Sequence, residues 1–365
     1  MGDIEEDEWS RPRCALSYES VDPLSRHFAR LPERVPRASV IIPTWDGVDL
    51  LRSALLSLRR QTFRDFETVV ADNGSRDGTT AMLAGDFPEV KVVRFAENRG
   101  FAPAVNAGLR AASGDLLVLM NNDVEADPGW LAALVGALDR HPDAGFVASK
   151  MLSARDPSRI DSAWDAMGLA PFNVGHGESD GPRFREGRYV LSACAGAAAY
   201  RRQFFDRVGF FDEDFFAWFE DVEIGIRGQL AGFRCWYEPA AVVHHLGSAT
   251  AARMPDRKIF LLIRNNLILF FQTMPLARAV LWGPVILLWP WLDPIFYGRP
   301  LRLTSRAWFA FWPCVPRVLR NRRRIYGRPA QVRALLTALE DPWDDIRRAW
   351  RALPRRMGVL FGRAS

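Results

Sequence analysis

The chain has 365 residues, 48% hydrophobic and 25% charged, with a formal net charge of +5. This is ordinary globular composition, enough for one large domain with an appendage, and not that of a fibrous or disordered chain. The charge is split: residues 251–365 hold 21 Lys+Arg against 6 Asp+Glu, near +15, and the remainder sums to near −10. A basic, Trp-rich tail on an acidic body predicts a tail that faces something anionic, with nucleic acid and anionic lipid both open. Cys14, Cys194, Cys235 and Cys314 form no C-x-x-C pair, so a disulfide framework or zinc site is not expected, which fits a reducing compartment. Asp3 to Glu8 are acidic and no apolar run follows, which predicts no secretory signal.

Residues 1–37 carry no regular period and read as an extension. Ser39-Val-Ile-Ile-Pro43 is a first strand, and Leu50, Leu51, Ala54, Leu55 and Leu58 mark one face of a helix. Phe66 to Asp72 is a second strand, with a turn at Asn73-Gly74 and Asp77 placed to cap the next helix. Val90 to Phe95 is a third strand. A helix through Ala104 to Ala112 leads to a fourth, Asp115 to Met120, and Asp127-Pro128 opens another helix. Strands that are apolar throughout, alternating with amphipathic helices, predict an α/β fold with a mostly parallel sheet covered on both faces.

In such sheets ligands bind beyond the carboxyl ends of the strands. Thr44-Trp45-Asp46, Asp72-Asn73 and Asn121-Asn122-Asp123 all fall there. Each set alone reads as a turn or helix cap; three sets on one edge read as a site. Asp123, directly after a buried strand, is a candidate anchor for a hard divalent cation. Glu220 and Asp221 precede a helix read from Val222 to Leu230. They are either acids favoured by its dipole or, with Asp221 desolvated among Phe216, Trp218 and Phe219, a general base. His244-His245 is either structural or a ligand.

Six motifs, in order, resemble the family 2 glycosyltransferases of the GT-A fold, especially rhamnosyltransferase-like members. They are Ser39-Val-Ile-Ile-Pro-Thr-Trp-Asp46, Val70-Ala-Asp-Asn-Gly-Ser75, Glu97-Asn-Arg-Gly-Phe101 with Asn106, Leu119-Met-Asn-Asn-Asp123, Gly196-Ala-Ala-Ala-Tyr-Arg201 and Phe219-Glu-Asp-Val-Glu-Ile224. The match runs from about Ser39 to Ser248, within a domain read as 38–250, and is weaker to about Gln272. The resemblance implies that Pro43, Thr44 and Asp46 line a nucleotide pocket and that Asp72 reads the base. It places Asn98, Arg99, Gly100, Asn106 and Asn122 by the donor, and Gly196, Ala197 and Trp218 by the acceptor. Asp221, paired with Glu220, is implied as the base. Asp123, as the last acid of a DXD motif, and His245, six residues after Pro239, are implied as ligands of Mg²⁺ or Mn²⁺. Asn121 stands where the first DXD acid often lies, which predicts weak cation binding until the diphosphate completes the shell. The implied reaction is inverting transfer from a nucleotide diphosphate sugar, dTDP-rhamnose or a UDP-sugar, to a glycan or polyprenyl-linked acceptor in cell-surface polysaccharide synthesis.

In the tail, residues 251–365, Leu281 to Tyr297 is strongly apolar but interrupted by Pro284, Pro290, Asp293 and Pro294, so a clean membrane span is not expected. Trp282, Trp289, Trp291, Trp308 and Trp312 suit a headgroup layer, and Arg317, Arg320, Arg322, Arg323 and Arg324 suit anionic phosphates. This predicts a helical segment seated on or re-entrant in the cytoplasmic face of a bacterial inner membrane; a small helical domain with solvated arginines is the alternative. No nucleic-acid-binding motif appears. A sugar-phosphate nucleotidyltransferase would need a Gly-rich basic loop after the first strand, which Thr44-Trp-Asp-Gly47 does not supply. A degenerate transferase serving as a membrane-bound binding module is the non-enzyme alternative.

Overall fold

A computed structural model describes residues 35–247, 254–327, 330–348 and 350, so most of the expected N-terminal extension lies outside it. A ten-stranded sheet carries the chain. One half is parallel, in the spatial order β3 (Lys91–Arg94), β2 (Phe66–Asp72), β1 (Ala38–Thr44), β4 (Leu116–Met120). Every residue of β1 and β4 is buried, as strands covered on both faces require. Their side chains alternate between two cores. Val40 and Ile42 meet α1 (Val48–Arg59), α2 (Thr79–Asp86) and α4 (Trp130–Arg140), whereas Ile41 meets α3 (Phe101–Ala111). Two of these helices start away from expectation: α4 begins at Trp130, two residues after Pro128, and α3 begins three residues earlier than Ala104. Asp77 serves two helices: Oδ1 accepts from Thr79 N–H (3.2 Å) and Oδ2 from Val48 N–H (2.8 Å), so it also ties down the start of α1.

The other half breaks the parallel run. β11 (Ala197–Arg201) lies antiparallel between β4 and β6 (Ala144–Ser153), and β12 (Arg234–His245) runs parallel to β6. Two short strands pin its far end. β5 (Val124–Ala126) sets Val124 opposite His245, and β7 (Ile160–Ser162) sets Ser162 opposite Met151 of β6. The hairpin β8 (Trp164–Met167) and β9 (Pro171–Val174) stands apart, and β10 (Arg188–Val190) edges the sheet. Phe204 and Phe205 of α5 (Arg202–Val208) and Ile224 of α6 (Glu220–Leu230) fill the core on the Ile41 side.

The tail folds as α7 (Pro255–Thr273), α8 (Leu276–Tyr297), α9 (Leu301–Phe311), α10 (Val315–Tyr326) and α11 (Val332–Ala338). Val222 and Ile226 of α6 share a core with Leu267, Phe270, Ile286 and Phe311 of the tail. The three prolines do not interrupt α8, which is one 22-residue helix. α9 is tied to it through Trp308, which donates its indole N–H to the Leu287 carbonyl (2.9 Å).

Candidate functional site

The carboxyl ends of β1, β4 and β12, with the start of β11, open into a cavity of about 660 Å³. Its floor is Pro43, Thr44, Asn122, Asp123, Gly196 and His245, and Asn98 and Gly100 add one side. Asn122 is fixed by donating to Thr44 Oγ1 (2.9 Å).

The acids Glu220 and Asp221 belong to the first turn of α6 rather than preceding it. The loop that delivers them is strained: Phe216, Trp218 and Phe219 all have positive φ (63°, 66° and 73°), a region costly for residues with a Cβ. Two clamps hold it. The Phe216 carbonyl accepts from Phe101 N–H (2.6 Å) at the start of α3, an approach that Gly100 at φ 101° permits, since a Cβ there would lie 2.6 Å from the Phe216 ring. From the tail, Asn265 Nδ2 donates to the carbonyls of Phe215, Ala217 and Trp218 at 2.8–2.9 Å.

Asp221 points its carboxylate across the cavity wall. Oδ1 accepts from Val222 N–H (2.9 Å) and Oδ2 from Ala195 N–H (3.3 Å). Burial raises its pKa above the ordinary aspartate value, partly offset by these backbone bonds. Glu220 is pushed well up by burial and then by the Asp221 charge, and its Oε2 has no partner. A third acid, Asp165 of β8, joins them: Oδ1 accepts from Asn173 (2.8 Å), and burial with the charges of Asp221 and Glu220 lifts it well up too. Two buried acids and a half-buried one, close enough for their charges to raise one another, titrate as a group.

On the floor His245 bridges two more. Nδ1 meets Asp161 Oδ2 at 2.7 Å and Nε2 lies 3.3 Å from Asp123 Oδ1. Burial opposes its protonation, but the bonds and charges of Asp123 and Asp161 prevail and raise its pKa to about 10. The donor set fits a hard divalent cation in a particular way. A cation replacing the Nε2 proton would take Asp123 and His245 as ligands, leaving Asp161 to orient the ring through Nδ1–H. Asn121, also facing the cavity, has a buried Oδ1 without a partner. Among the described residues no three His, Cys, Asp or Glu side chains are already gathered at ligand geometry.

Several expected site residues lie elsewhere. Asp72 is fully buried and outside the cavity wall; it accepts from Ser75 N–H (2.9 Å) and pairs with Arg94 (3.3 Å), holding the loop after β2. Asn106 is a joint between α3 and the loop before α6, bonded to both the N–H and the carbonyl of Phe211 and to Glu213. Ala197 is buried inside β11. Asp46 accepts from Arg76 N–H (2.7 Å), and Arg99 stacks on Phe95; neither lines the cavity. Asp161, Asp165 and Asn265 are additions. The first two sit in residues 154–190, where short irregular strands give no clear period; the acid spacing of Asp161 and Asp165 across Ser-Ala-Trp was the available signal.

Residues 39–209 match glycosyl transferase family 2. The chain is 32% identical over 263 residues to the N-acetylglucosaminyl-diphospho-decaprenol L-rhamnosyltransferase of Mycobacterium tuberculosis (strain ATCC 25618 / H37Rv), spanning 62% of this chain and 84% of the relative. It is 32% identical over 257 residues to the O-antigen biosynthesis protein RfbC of Myxococcus xanthus, spanning 65% of this chain but only 20% of that much longer protein. Of solved structures, S. aureus TarS matches with a TM-score of 0.51 at 19% identity, over 83% of this chain and 54% of that one, a likeness of fold alone. The mostly parallel sheet with helices on both faces is the GT-A fold. The chain belongs to glycosyl transferase family 2.

Proposed function

We propose that the chain is an inverting glycosyltransferase that moves a sugar from a nucleotide diphosphate donor, dTDP-rhamnose or a UDP-sugar, to a glycan or polyprenyl-linked acceptor, in the synthesis of a cell-surface polysaccharide. The observation that carries this reading is the meeting of Asp221 with Asp123 and His245 on one cavity. Asp221, its pKa raised by burial, accepts the proton of the attacking acceptor hydroxyl. Thr44, Asn98 and Asn122 offer hydrogen bonds to the donor, and Trp218 offers a face for a sugar ring. A bound Mg²⁺ or Mn²⁺ would neutralise the charge that gathers on the departing diphosphate. A cavity lined by carboxylates needs such a charge before an anionic donor can enter. The names of the relatives support this choice of acceptor: decaprenol-linked for one, O-antigen for another. The test is turnover of a panel of dTDP- and UDP-sugars with Mg²⁺, with Mn²⁺ and with EDTA. Metal-dependent release of nucleotide diphosphate is the expected result. Nucleotide binding without any turnover would favour a binding module.

The exposed face of α8 supports a seat at the cytoplasmic side of a bacterial inner membrane. By length and composition this helix, about 33 Å long, could cross a membrane. Its inner face, however, is spent on the cavity, through Ile286, Pro290 and Asp293. Interfacial seating keeps that face dry while Val280, Leu281, Leu288 and Ile295, each more than half exposed, enter the acyl boundary. The residues expected to face outward divide into two sets. Trp282, Trp289 and Trp308 pack inward, Arg317 pairs with Asp212 and Asp214, and Arg322 bonds the carbonyls of Phe271 and Met274. Trp291, Trp312, Arg320, Arg323 and Arg324 remain exposed.

A further inference from the structure

The cavity has a wall that the strand ends do not build. α7 and α8 supply it, with Asn266, Ile286, Trp289, Asp293 and, just beyond, Arg299. Asp293 is the only charged residue of α8 besides Arg278, and it is 2% exposed. One carboxylate oxygen, Oδ2, meets the Arg299 guanidinium at 2.6 Å; the other, Oδ1, has no partner. Asn266 Oδ1 has none either. Among the described residues six buried side-chain oxygens lack a partner, and five of them belong to residues lining this cavity: Asn121, Asp165, Glu220, Asn266 and Asp293. A buried acceptor without a donor costs about 1–3 kcal/mol, a cost that a ligand rich in O–H or N–H groups would offset.

Position divides the five. Asn121 stands by the cation candidates, and Asp165 and Glu220 stand by the base. Asn266 and Asp293 come from the tail; Asn265, next to Asn266, clamps the loop that delivers Asp221. A free carboxylate oxygen there disfavours a phosphate and favours a hydroxyl donor, and Trp289 adds an aromatic surface of the kind on which sugar rings stack.

We propose that this tail-built wall is the subsite for the saccharide of the acceptor: ring hydroxyls donate to Asp293 Oδ1 and Asn266 Oδ1, while Arg299 holds Asp293 in place. The proposal rests on the glycosyltransferase reading above and adds to it a ligand class, a pyranoside on an apolar carrier, and residues outside the region that matches the family.

Calorimetric titration of the full chain with octyl β-glucoside, octyl N-acetyl-β-glucosaminide and octyl α-rhamnoside, each kept below its micelle threshold, tests it. At least one glycoside binds the wild-type chain, and Asp293→Asn and Asn266→Ala each weaken it by about tenfold, the value of one hydrogen bond to a buried group. The Kd for UDP or dTDP with Mn²⁺ stays within about twofold in both, as expected of sites that share no contact. Unchanged glycoside binding in both variants overturns the subsite. So does a wild-type chain that binds nucleotide but no glycoside. Asn266→Ala keeps the test open if Asp293→Asn, which leaves Arg299 without its counter-charge, fails to fold by circular dichroism. A chain that neither binds nucleotide nor turns over any donor overturns the transferase reading, and this one with it.

Discussion

At Asp221 two demands compete. A general base must be ionised to accept a proton, yet burial favours its neutral form. The base works only when deprotonated, so the acidic limb of the kcat–pH profile is expected above the ordinary aspartate range. Glu220 and Asp165 make that limb a property of the group rather than of one acid. A limb centred at or below about pH 4 would remove the base assignment. Asp221→Asn is expected to lower kcat by about 10²–10⁴-fold, with the donor Kd, read by calorimetry, unchanged. On the cavity floor, Asp123→Ala takes away the carboxylate that faces His245 Nε2. Donor binding in that variant should lose its response to Mn²⁺, a result that titration of nucleotide with and without EDTA reads directly. A preserved response would assign the anchor to another residue.

The elements matter through one loop. Residues 215–219 hold a conformation that their own sequence disfavours, and tail helices α7 and α10 keep it there. Asn265→Ala removes three carbonyl contacts at once, although the Phe215 carbonyl keeps the N–H of Ala217 (2.7 Å). The expected cost is about 1–3 kcal/mol in denaturant unfolding. A larger effect is expected on kcat, because a displacement of about 1 Å in a reacting group can cost about 10²-fold. Arg317 acts one step further out. It pairs with both Asp212 and Asp214, just before the loop, and the Arg317–Asp212 pair is largely shielded from water. Arg317→Met leaves Asp212 without its ion-pair partner, with the amides of Gln272 and Asn321 still donating to it, and should destabilise the chain by about 3 kcal/mol. A denaturation midpoint within error of wild type would show this contact to be incidental. Both predictions tie the loop that delivers Asp221 to helices that lie outside the region matching the family.

For the molecule as a whole, the question is what the tail faces. The exposed apolar band on α8 and the exposed Arg320, Arg323 and Arg324 on α10 together suit a surface that is apolar within and anionic outside. Leu281→Glu with Leu288→Glu should abolish retention on phosphatidylglycerol-containing vesicles in a flotation assay. Stability should shift by no more than about 0.5 kcal/mol per site, since both side chains are exposed. Equal retention of variant and wild type would rule out α8 as the contact.

Much of this could be read from the chain itself. Strands with apolar centres, such as Val40–Ile42 and Leu116–Met120, alternating with helical segments, point to a parallel sheet with both faces covered, and the strand β2 appears at its expected bounds, Phe66–Asp72. Polar residues directly after such strands must face its carboxyl edge, which is why Thr44, Asn122 and Asp123 could be assigned to a cavity from order alone. Tertiary structure decided what periodicity cannot carry. Asp161 and Asp165 reach the site through two short strands, and Asn265 and Asp293 through helices far along the chain. The same long-range packing turned Asp72 and Asn106 inward to brace loops and kept α8 whole through three prolines. The physical reason is common to all of these. A residue's neighbours along the chain fix its local geometry, but the partner that satisfies or leaves bare its polar atoms comes from wherever the fold brings another segment.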